Sequence, residues 1–446
     1  MKRSRPKGRA LQLVKQHFRD VRPEELVTAA REFPVTTRPD LQGVLDQIFR
    51  DQFETKKLVG VHSDYNHQTL TFANVAVEGN FAAQIGPLQY DEVDVGEIQP
   101  CRCLKTALWL SEEKGTRFAL LLTQALHYGR PSGVHLEIAV TPGERGTEFS
   151  RRLFDRIERQ VNQASSYRGK ALSLEQSDNY RGSVGAIRIH KLRSVDRSQI
   201  ILPEKTIRLL ERNVTQFIAQ RDRLKSLGMA TKKGLLFYGP PGTGKTHTIH
   251  YLASQLKGHT TLLITADQVG LLDYYMQLAR FLQPAMVVLE DVDLIARDRK
   301  SKGSACEESV LNRLLNEMDG LREEASVLFV LTTNRPEQLE AALASRPGRI
   351  DQAIEFPLPD EEGRQKLIRL YSGGLKVGED VSETAVRKTK GASAAFIKEL
   401  MRRAAQFLVE ENGGNKVEIK HIEAALDEML FAGGTLNVKL LGGAQP

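Results

Sequence analysis

Apolar residues follow different spacings in different parts of this chain. Within residues 149–163 an apolar side chain recurs every fourth residue, which predicts an amphipathic helix. The segments 68–77 and 133–140 alternate apolar with polar residues, the pattern of a half-buried β-strand. Because helix and strand patterns occur together, we predict an α+β domain over residues 36–195. No motif within it assigns this domain a function.

The first 35 residues differ from this domain in pattern and charge. Residues 11–33 carry helical periodicity, so we predict that residues 1–35 form a basic, partly helical arm. The arm holds nine Lys or Arg against four Asp or Glu, and residues 151–200 hold eleven against five, in a chain of net charge +7. Basic segments can contact nucleic acid, but solvated arms are commoner, and aromatic residues are not interleaved in these segments as a base-stacking platform would need. A nucleic acid partner stays open and is not favoured.

A strand, a glycine-rich loop and a helix follow one another in the second half of the chain. The apolar stretch GLLFY precedes GPPGTGKT at 239–246, and HTIHYLASQL after it predicts a helix. The loop matches G-x-x-x-x-G-K-[ST], the phosphate-binding pattern, whose glycines let backbone N–H groups turn toward phosphate oxygens. Lys245 would place a positive charge on the β- and γ-phosphates, and the Thr246 hydroxyl would ligate Mg²⁺. We expect the following residues to contact the nucleotide: Gly239, Pro240, Pro241, Gly242, Thr243, Gly244, Lys245, Thr246 and His247.

Two further apolar strands end in polar residues. The stretch PAMVVLEDVDLIA predicts a buried strand that ends at Glu290 and Asp291, and SVLFVLTTN predicts one that ends at Asn334. Ligands of open parallel sheets bind at the carboxyl ends of the strands, so these side chains should face the phosphates. We expect Asn334 to hold a water in line with the γ-phosphate. Farther on, SRPGRID carries Arg346 and Arg349, which we interpret as cations that reach a neighbouring subunit's phosphates.

Seven motifs follow one another in a fixed order: GPPGTGKT, MVVLEDVD, LLNEMDG, TTNRP, SRPGRID, PLPDEEGR and GASAAFIKEL. With them, residues 200–430 resemble the AAA family of ATPases. The resemblance implies an α/β fold, with a P-loop nucleotide-binding domain of parallel strands and flanking helices over 196–360. A small helical lid over 361–432 and a tail at 433–446 would follow.

The resemblance also implies a chemistry and a set of roles. Members of this family hydrolyse ATP with Mg²⁺ and form homo-oligomeric rings, usually hexamers, with the nucleotide between subunits. By position, Lys245 and Thr246 are the Walker A pair, and Asn334 is sensor 1. Arg346 and Arg349 are the arginine fingers, which one subunit supplies to the site of its neighbour. Ala394 and Ala395 of the lid motif lie near the adenine.

The order of the two acids departs from the family's pattern. Its Walker B strand usually ends Asp-Glu, whereas this strand ends Glu290-Asp291. By position, Glu290 would orient Mg²⁺ and its waters, and Asp291 would polarise the attacking water. The same reversed pair occurs in mitochondrial ATPases that help to insert the Rieske protein, which this chain resembles around LEDVD, so we expect a working ATPase.

The segment at the pore position of threading AAA proteins departs as well. The stretch ITADQVGLLDYYMQLARFLQP is shorter than expected and has Gln268-Val269-Gly270 where an aromatic residue should begin the loop. Tyr274 and Tyr275 stand at helical spacing beside leucines, and we interpret them as packing residues. A ring that acts on a folded partner therefore fits this segment better than one that threads an unfolded chain.

Composition narrows the classes of protein further. The longest apolar runs fall far short of the roughly 18 to 20 residues that span a bilayer, so we expect no transmembrane segment. The chain has 3 cysteines, too few for a disulfide framework, which predicts a reducing, cytoplasmic location. The metalloprotease motif H-E-x-x-H does not occur, which argues against the membrane protease branch of the family.

Three hypotheses about function remain. The leading one is an oligomeric ATPase that remodels or disassembles a protein partner selected by residues 36–195, with the client unknown. The second is a motor or loader that acts on nucleic acid, which the basic segments favour. The third is a slow nucleotide-dependent scaffold, which the reversed acids permit.

Overall fold

The structure of the chain, a computed structural model, describes residues 10–63, 68–78, 82–127, 130–163, 166–176, 184–297, 308–338, 349–411 and 414–432. The chain divides into two compact units, residues 1–168 and 169–446.

The first unit combines a six-stranded antiparallel sheet, a two-stranded hairpin and helices. Its strands are β1 (Val27–Pro34), β2 (Glu54–His62), β3 (Gln84–Gly86), β4 (Tyr90–Val93), β5 (Cys101–Leu104), β6 (Ala107–Glu113), β7 (Thr116–His127) and β8 (Arg130–Val140). Its helices are α1 (Ala10–Phe18), α2 (Arg38–Asp51), α3 (Phe72–Ala76) and α4 (Glu144–Gln163). The sheet order is β1-β8-β7-β6-β2-β3, and β4 pairs with β5.

Apolar side chains cover both faces of this sheet. On one face, α1 and α3 bury residues such as Val14 and Phe72 against β6 and β7. Successive side chains of a strand point to opposite faces, so Phe118 of β7 lies on the other side. There its ring centroid is 4.8 Å from that of Phe149 in α4. The unit therefore has an apolar core on each side of the sheet.

Two of the three predicted elements in this unit are confirmed. α4 contains the predicted helix 149–163, and β8 contains the predicted strand 133–140. The strand predicted over 68–77 is wrong, because this segment contains the short helix α3. Its buried residues Phe72 and Val75 are three positions apart, and a helical turn places such residues on one face.

The predicted N-terminal arm is corrected by the structure. Residues 10–34 belong to the first unit, since α1 lies in its core and β1 pairs with β8 from Val27 to Pro34. The basic residues of this segment led to the interpretation as an arm, while its buried residues determine where it packs. Residues 1–9 lie outside the described residues.

The second unit begins with a seven-stranded sheet and its helices. The strands are β9 (Ala171–Gln176), β10 (Val184–His190), β11 (Lys233–Tyr238), β12 (Thr260–Ile264), β13 (Ala285–Leu289), β14 (Val327–Thr333) and β15 (Gln352–Glu355). The helices are α5 (Glu204–Leu210), α6 (Phe217–Ala219), α7 (Arg221–Ser226), α8 (Lys245–Gln255), α9 (Leu272–Phe281), α10 (Val292–Arg297) and α11 (Glu308–Asp319). The strand order is β10-β9-β12-β13-β14-β11-β15.

This sheet confirms the predicted α/β fold class. All its pairings are parallel except that of β10 with β9. The core on one face includes Phe237, Ile249 and Val288, which come from β11, α8 and β13. Parallel strands of this kind place their carboxyl ends along one edge, where the loops that follow β11, β13 and β14 meet.

The boundary between the two units lies earlier than predicted. The first unit ends at Arg168, whereas we predicted the boundary at residue 195. β9 pairs in parallel with β12, and β10 pairs with β9, so both strands belong to the second sheet. An alternating pattern predicts that a segment is extended and half-buried, but it does not indicate which sheet the strand joins.

The C-terminal part of the second unit is helical, in the region where we predicted a lid, and we call it the lid. It contains α12 (Glu361–Ser372), α13 (Glu379–Lys388), α14 (Ala394–Glu410) and α15 (Ile419–Asp427), with a small ladder of β16 (Lys376–Val377) and β17 (Lys416–Val417). Their shared core includes Leu367, Leu400 and Ile422. Among the described residues, no helix is long and apolar enough to cross a membrane.

Candidate nucleotide-binding and catalytic site

The loop at 239–246 joins β11 to α8 and depends on its glycines. Gly239, Gly242 and Gly244 have φ values of 145°, 75° and 100°, in the region that residues with a Cβ rarely adopt. A Cβ on Gly239 would lie 2.2 Å from the carbonyl oxygen of Phe356. These backbone angles and close contacts explain why the loop requires glycine at these positions.

The lid contacts this loop directly. The Ala395 N–H donates to the Gly242 carbonyl oxygen at 3.1 Å. A Cβ on Gly242 would lie 2.9 Å from both the Ala395 Cβ and the Ser393 Oγ. Ser393 caps the N-terminus of α14 by accepting the Phe396 N–H at 3.2 Å. The start of a lid helix is therefore fixed against the phosphate-binding loop.

Lys245 is the centre of a hydrogen-bond network. Its Nζ donates to the carbonyl oxygens of Gly239 and Pro240 at 2.8 and 3.0 Å, and to the Asn334 Oδ1 at 2.8 Å. Burial lowers the pKa of Lys245 to about 8, while the nearby Asp291 and Asp293 carboxylates oppose this shift. The ammonium group is thus held between the loop and the end of β14.

The two acids after β13 have different surroundings. The Asp291 N–H donates to the Thr332 Oγ1 at 2.9 Å, and the Asp291 Oδ1 accepts from the Asn334 Nδ2 at 3.0 Å. The Glu290 N–H donates to the Ile264 carbonyl oxygen, and Glu290 Oε1 is buried without a hydrogen-bond partner among the described residues. Only Asp291 of this pair lines the cavity beside the loop.

The backbone of Asp291 is strained. Its φ is 50°, a left-handed value for a residue with a side chain. Asp and Asn are enriched among the few residues that adopt it, and such residues cluster at functional sites. This turn directs the Asp291 carboxylate to Asn334 and leaves Glu290 to one side.

A cavity of about 570 Å³ lies between the loop, the strand ends and the lid. It is large enough for a nucleotide, since small-molecule sites range from about 300 to 1,000 Å³. The expected residues Pro241, Gly242, Thr243, Gly244, Lys245, Thr246, His247, Asp291, Asn334, Ala394 and Ala395 all line it.

The segment that contains the loop and the strand ends matches a known protein family. The model of the family described as "ATPase family associated with various cellular activities (AAA)" matches residues 235–358. This chain carries an AAA ATPase domain.

Several curated proteins are similar to this chain around that domain. It is 29% identical to the proteasome-activating nucleotidase of Methanothermobacter thermautotrophicus, over 55% of this chain and 63% of that protein. It is 30% identical to the ATP-dependent zinc metalloprotease FtsH of Thermus thermophilus, over 49% and 37% of the two chains. The 26S proteasome regulatory subunit 10B of Dictyostelium discoideum is also 30% identical, over 51% and 57%. The chain thus matches less than two thirds of each relative's length.

Other residues that line the cavity were not predicted from the sequence. Most of them come from the segment before α5 and from α12 and carry no motif of their own, while Thr248 lies in α8 and Thr332 begins the motif TTNRP at the end of β14. Lys398 stands within the lid motif GASAAFIKEL, so only its position there could have indicated it. These residues are Arg193, Gln199, Ile200, Ile201, Leu202, Thr248, Thr332, Leu367, Leu370, Tyr371 and Lys398.

His247 lines the cavity next to Thr246. Burial lowers its pKa, and a hydrogen bond with the Gln199 backbone partly offsets this shift. The neighbouring cations Arg193 and Lys398 lower it further. We therefore expect a neutral imidazole at pH 7, which contacts the nucleotide through its ring and not through charge.

Arg349 lies away from the cavity of its own chain. Its guanidinium pairs with the Asp319 carboxylate at the end of α11, and Arg349 does not line the cavity. A Cβ on Gly234 would lie 2.0 Å from the Arg349 carbonyl oxygen, so β11 holds this backbone closely. Arg346 lies outside the described residues. The finger role of both residues stays a prediction.

Proposed function

We propose that this chain binds and hydrolyses ATP in the presence of Mg²⁺. The observation that supports this most strongly is the chain of hydrogen bonds from Lys245 through Asn334 to Asp291, at the mouth of the phosphate-binding loop. It joins a cation for phosphate, an amide and a carboxylate within one cavity. These are the groups that phosphoryl transfer to water requires, because its catalysis consists mainly of positioning and electrostatic stabilisation.

The residues present also fit a magnesium ion. The Thr246 hydroxyl and the Asp291 carboxylate line the same cavity, and both are oxygen donors of the kind that Mg²⁺ prefers. Glu290, the acid expected to orient the ion by position, does not line that cavity. When bound, Mg²⁺ neutralises charge on the β- and γ-phosphates.

Each residue of the network has a part in the reaction. Lys245 stabilises the negative charge of the γ-phosphate, and the backbone N–H groups of the loop and the N-terminus of α8 support it. Asn334 holds the attacking water in line with the phosphorus atom, and Asp291 orients that water and accepts its proton. The present bonds of Lys245 to two loop carbonyl oxygens are the contacts that phosphate oxygens would replace.

We further infer that the active unit is a ring in which Arg349 and Arg346 complete the neighbour's site. The position of Arg349 supports this, since it lies off its own cavity, in the segment between β14 and β15. An arginine that stabilises the transition state contributes about 10³-fold or more to the rate. Hydrolysis would release the arginines and change how neighbouring subunits contact one another.

The output we propose is the remodelling of a protein partner. Two of the relatives are named for a link with proteolysis, one a proteasome-activating nucleotidase and one an ATP-dependent zinc metalloprotease. The contact from Ala395 to Gly242 gives this chain a direct link between phosphate and lid. Loss of the γ-phosphate would move the loop, and the lid helix α14 would move with it.

A slow nucleotide-dependent scaffold is the second candidate. The placement of Glu290 outside the cavity lining favours it, because only one of the two Walker B acids then faces the nucleotide. A slow enzyme would still assemble with ATP. Turnover measured with and without candidate partner proteins separates the two functions.

The test of the proposed activity is release of phosphate from ATP by the purified chain. We expect turnover that requires Mg²⁺ and is lost in Lys245→Ala, because the γ-phosphate then lacks its cation. Lys257→Ala is the matched control, since Lys257 is exposed beyond the end of α8. This variant should hydrolyse ATP at the wild-type rate. Equal turnover in Lys245→Ala and the wild type would refute the proposal.

A further inference from the structure

Asp293 is a buried acid beside the site, and although it is the last residue of the motif MVVLEDVD, no role was predicted for it from the sequence. It stands in the first turn of α10, and only 3% of the residue is exposed. Its Oδ1 accepts the Thr333 hydroxyl at 2.9 Å and the Asn334 N–H at 3.1 Å. A buried carboxylate is costly unless it is hydrogen-bonded, so its presence in this position requires an explanation.

Asp293 belongs to a set of bonds that join the end of β14 to the turn after β13. Thr332 Oγ1 accepts the Asp291 N–H at 2.9 Å, and the Thr333 hydroxyl donates to Asp293. Thr332 and Thr333 are both almost fully buried, at 2% and 0% exposure. Thr332 thus holds the backbone of Asp291, and the adjacent Thr333 holds the side chain of Asp293.

This arrangement determines where the Asn334 side chain points. Its Oδ1 accepts from Lys245 and its Nδ2 donates to Asp291, which uses both ends of the amide. The two bonds form together only if the Asn334 backbone is fixed at the right place. Asp293 makes the hydrogen bond to that backbone N–H. Reactions of this kind are sensitive to misplacements of about 1 Å, which can cost about 10²-fold in rate.

We propose that Asp293 is a positioning residue for ATP hydrolysis, which fixes the Asn334 backbone so that the Asn334 amide spans Lys245 and Asp291. This inference rests on the proposed ATPase function. Asp293 does not line the nucleotide cavity, so it acts through Asn334 and not on the substrate. The residue therefore affects the chemical step and leaves nucleotide binding almost unchanged.

The experiment compares four variants of the full chain: Asp293→Ala, Asp293→Asn, Asn334→Ala and the double variant Asp293→Ala/Asn334→Ala. Steady-state kcat and KM are measured together with the affinity for a fluorescent ADP analogue. Asp293→Ala should lower kcat about 10²-fold, by the cost of misplacement, while KM and analogue affinity change less than about threefold. Asp293→Asn keeps an oxygen acceptor and should recover most of the rate.

Non-additivity distinguishes positioning from general structural damage. If Asp293 acts through Asn334, Asp293→Ala costs almost nothing further in the Asn334→Ala background. Thr333→Val is the matched control, since it removes the threonine bond to Asp293 and leaves the bond to the Asn334 N–H. It should lower kcat less than Asp293→Ala does.

Two results would overturn the inference alone. One is an unchanged kcat in Asp293→Ala. The other is a loss of kcat from Asp293→Ala that is as large in the Asn334→Ala background as in the wild type. A wild-type protein that binds nucleotide but shows no turnover would overturn the proposed function and this inference with it. The wild-type rate therefore shows which of the two has failed.

Discussion

At the scale of single residues, the two Walker B acids are not equivalent in this chain. Asp291 lines the cavity and bonds Asn334, while Glu290 has a buried oxygen without a partner among the described residues. Asp291 adopts a left-handed backbone at this turn, with a φ of 50°. The reversed order of the acids is therefore accompanied by a local turn that directs the shorter acid to the phosphate loop.

This difference predicts unequal effects of two isosteric substitutions. Asp291→Asn should lower kcat by about 10² to 10⁴, the usual contribution of a general base, because the amide cannot accept the proton of water. Glu290→Gln should lower it less, since Glu290 does not face the cavity. Single-turnover hydrolysis measures both. Equal losses in the two variants would contradict this division of roles between the acids.

The contact between Gly242 and the lid leads to a second prediction. Gly242→Ala adds a Cβ that would meet Ala395 and Ser393 at 2.9 Å, at a φ of 75°. We expect weaker nucleotide binding and faster hydrogen exchange at the start of α14. Gly258→Ala is the control, because it has a similar φ of 81° and open space around the added Cβ.

The two variants should share the cost of a left-handed alanine, about 1 to 2 kcal/mol. Only Gly242→Ala should also change the lid. If both variants alter exchange in α14 to the same extent, the direct contact is not what holds the lid helix.

At the scale of elements, the sequence predicted the fold class and which strand ends lie together, but not every strand pairing around them. Lys245 and Asn334 could be predicted because parallel strands place their carboxyl ends together, whatever the remaining sequence is. Asp293 and the cavity residues from Gln199 to Leu202 could not, since their positions depend on contacts between distant segments. The strand pattern of β9 likewise could not indicate that it pairs with β12.

The interpretation of Tyr274 and Tyr275 as packing residues is confirmed for Tyr275, whereas Tyr274 is only half-buried. Tyr275 is fully buried in α9, and its hydroxyl accepts the Leu174 N–H at 2.7 Å and contacts the Leu263 carbonyl oxygen at 3.0 Å. It links α9 to β9 and β12 as a packing residue. The helical spacing of apolar neighbours was sufficient to predict this.

The lid contains an ion-pair network that predicts a dependence on pH. Glu399 bonds Arg402 and Arg403, which lower its pKa to about 2, and Arg403 also pairs with Glu428. Because the pKa is lower in the folded state, the stabilisation is full above the ordinary value of 4.5. It is lost as the pH falls from there toward 2.

Glu399→Gln should therefore destabilise the chain by about 0.5 to 1 kcal/mol at pH 7, the upper range for partly exposed pairs. The difference from the wild type should shrink below pH 4.5, the ordinary pKa of the group. Glu383→Gln is the control, because Glu383 is exposed and no ion pair involves it among the described residues. Denaturant titrations at several pH values measure the effect, and a pH-independent difference would contradict it.

The position of β9 and β10 gives a prediction about fragments. A fragment of residues 169–446 keeps both strands and should unfold cooperatively. A fragment of residues 196–446 lacks them and exposes the edge of β12, whose backbone then has no strand on that side. Exposed edges of this kind promote aggregation. Light scattering compares the two, and a shorter fragment as soluble as the longer one would argue for a boundary after β10 instead of before β9.

At the scale of the whole molecule, the two units carry different amounts of functional information. The second unit contains the AAA domain, its cavity and its lid. The first unit is an antiparallel sheet with helices, which the family match at 235–358 does not include. A role in selecting a protein partner stays a proposal for it, and binding of nucleic acid stays a prediction that salt-dependent binding would test.

In the mechanism we propose, ATP is hydrolysed between two protomers, with Lys245 from one and Arg349 from the next. The most direct test mixes two inactive variants. Lys245→Ala lacks a working loop but keeps its arginine, and Arg349→Ala keeps its loop but lacks the arginine. In a head-to-tail ring formed from equal amounts, about a quarter of the interfaces would combine an intact loop with an intact arginine. We predict that the mixture regains ATP turnover that neither variant shows alone. A mixture as inactive as its two components, although the subunits exchange, would contradict the shared site.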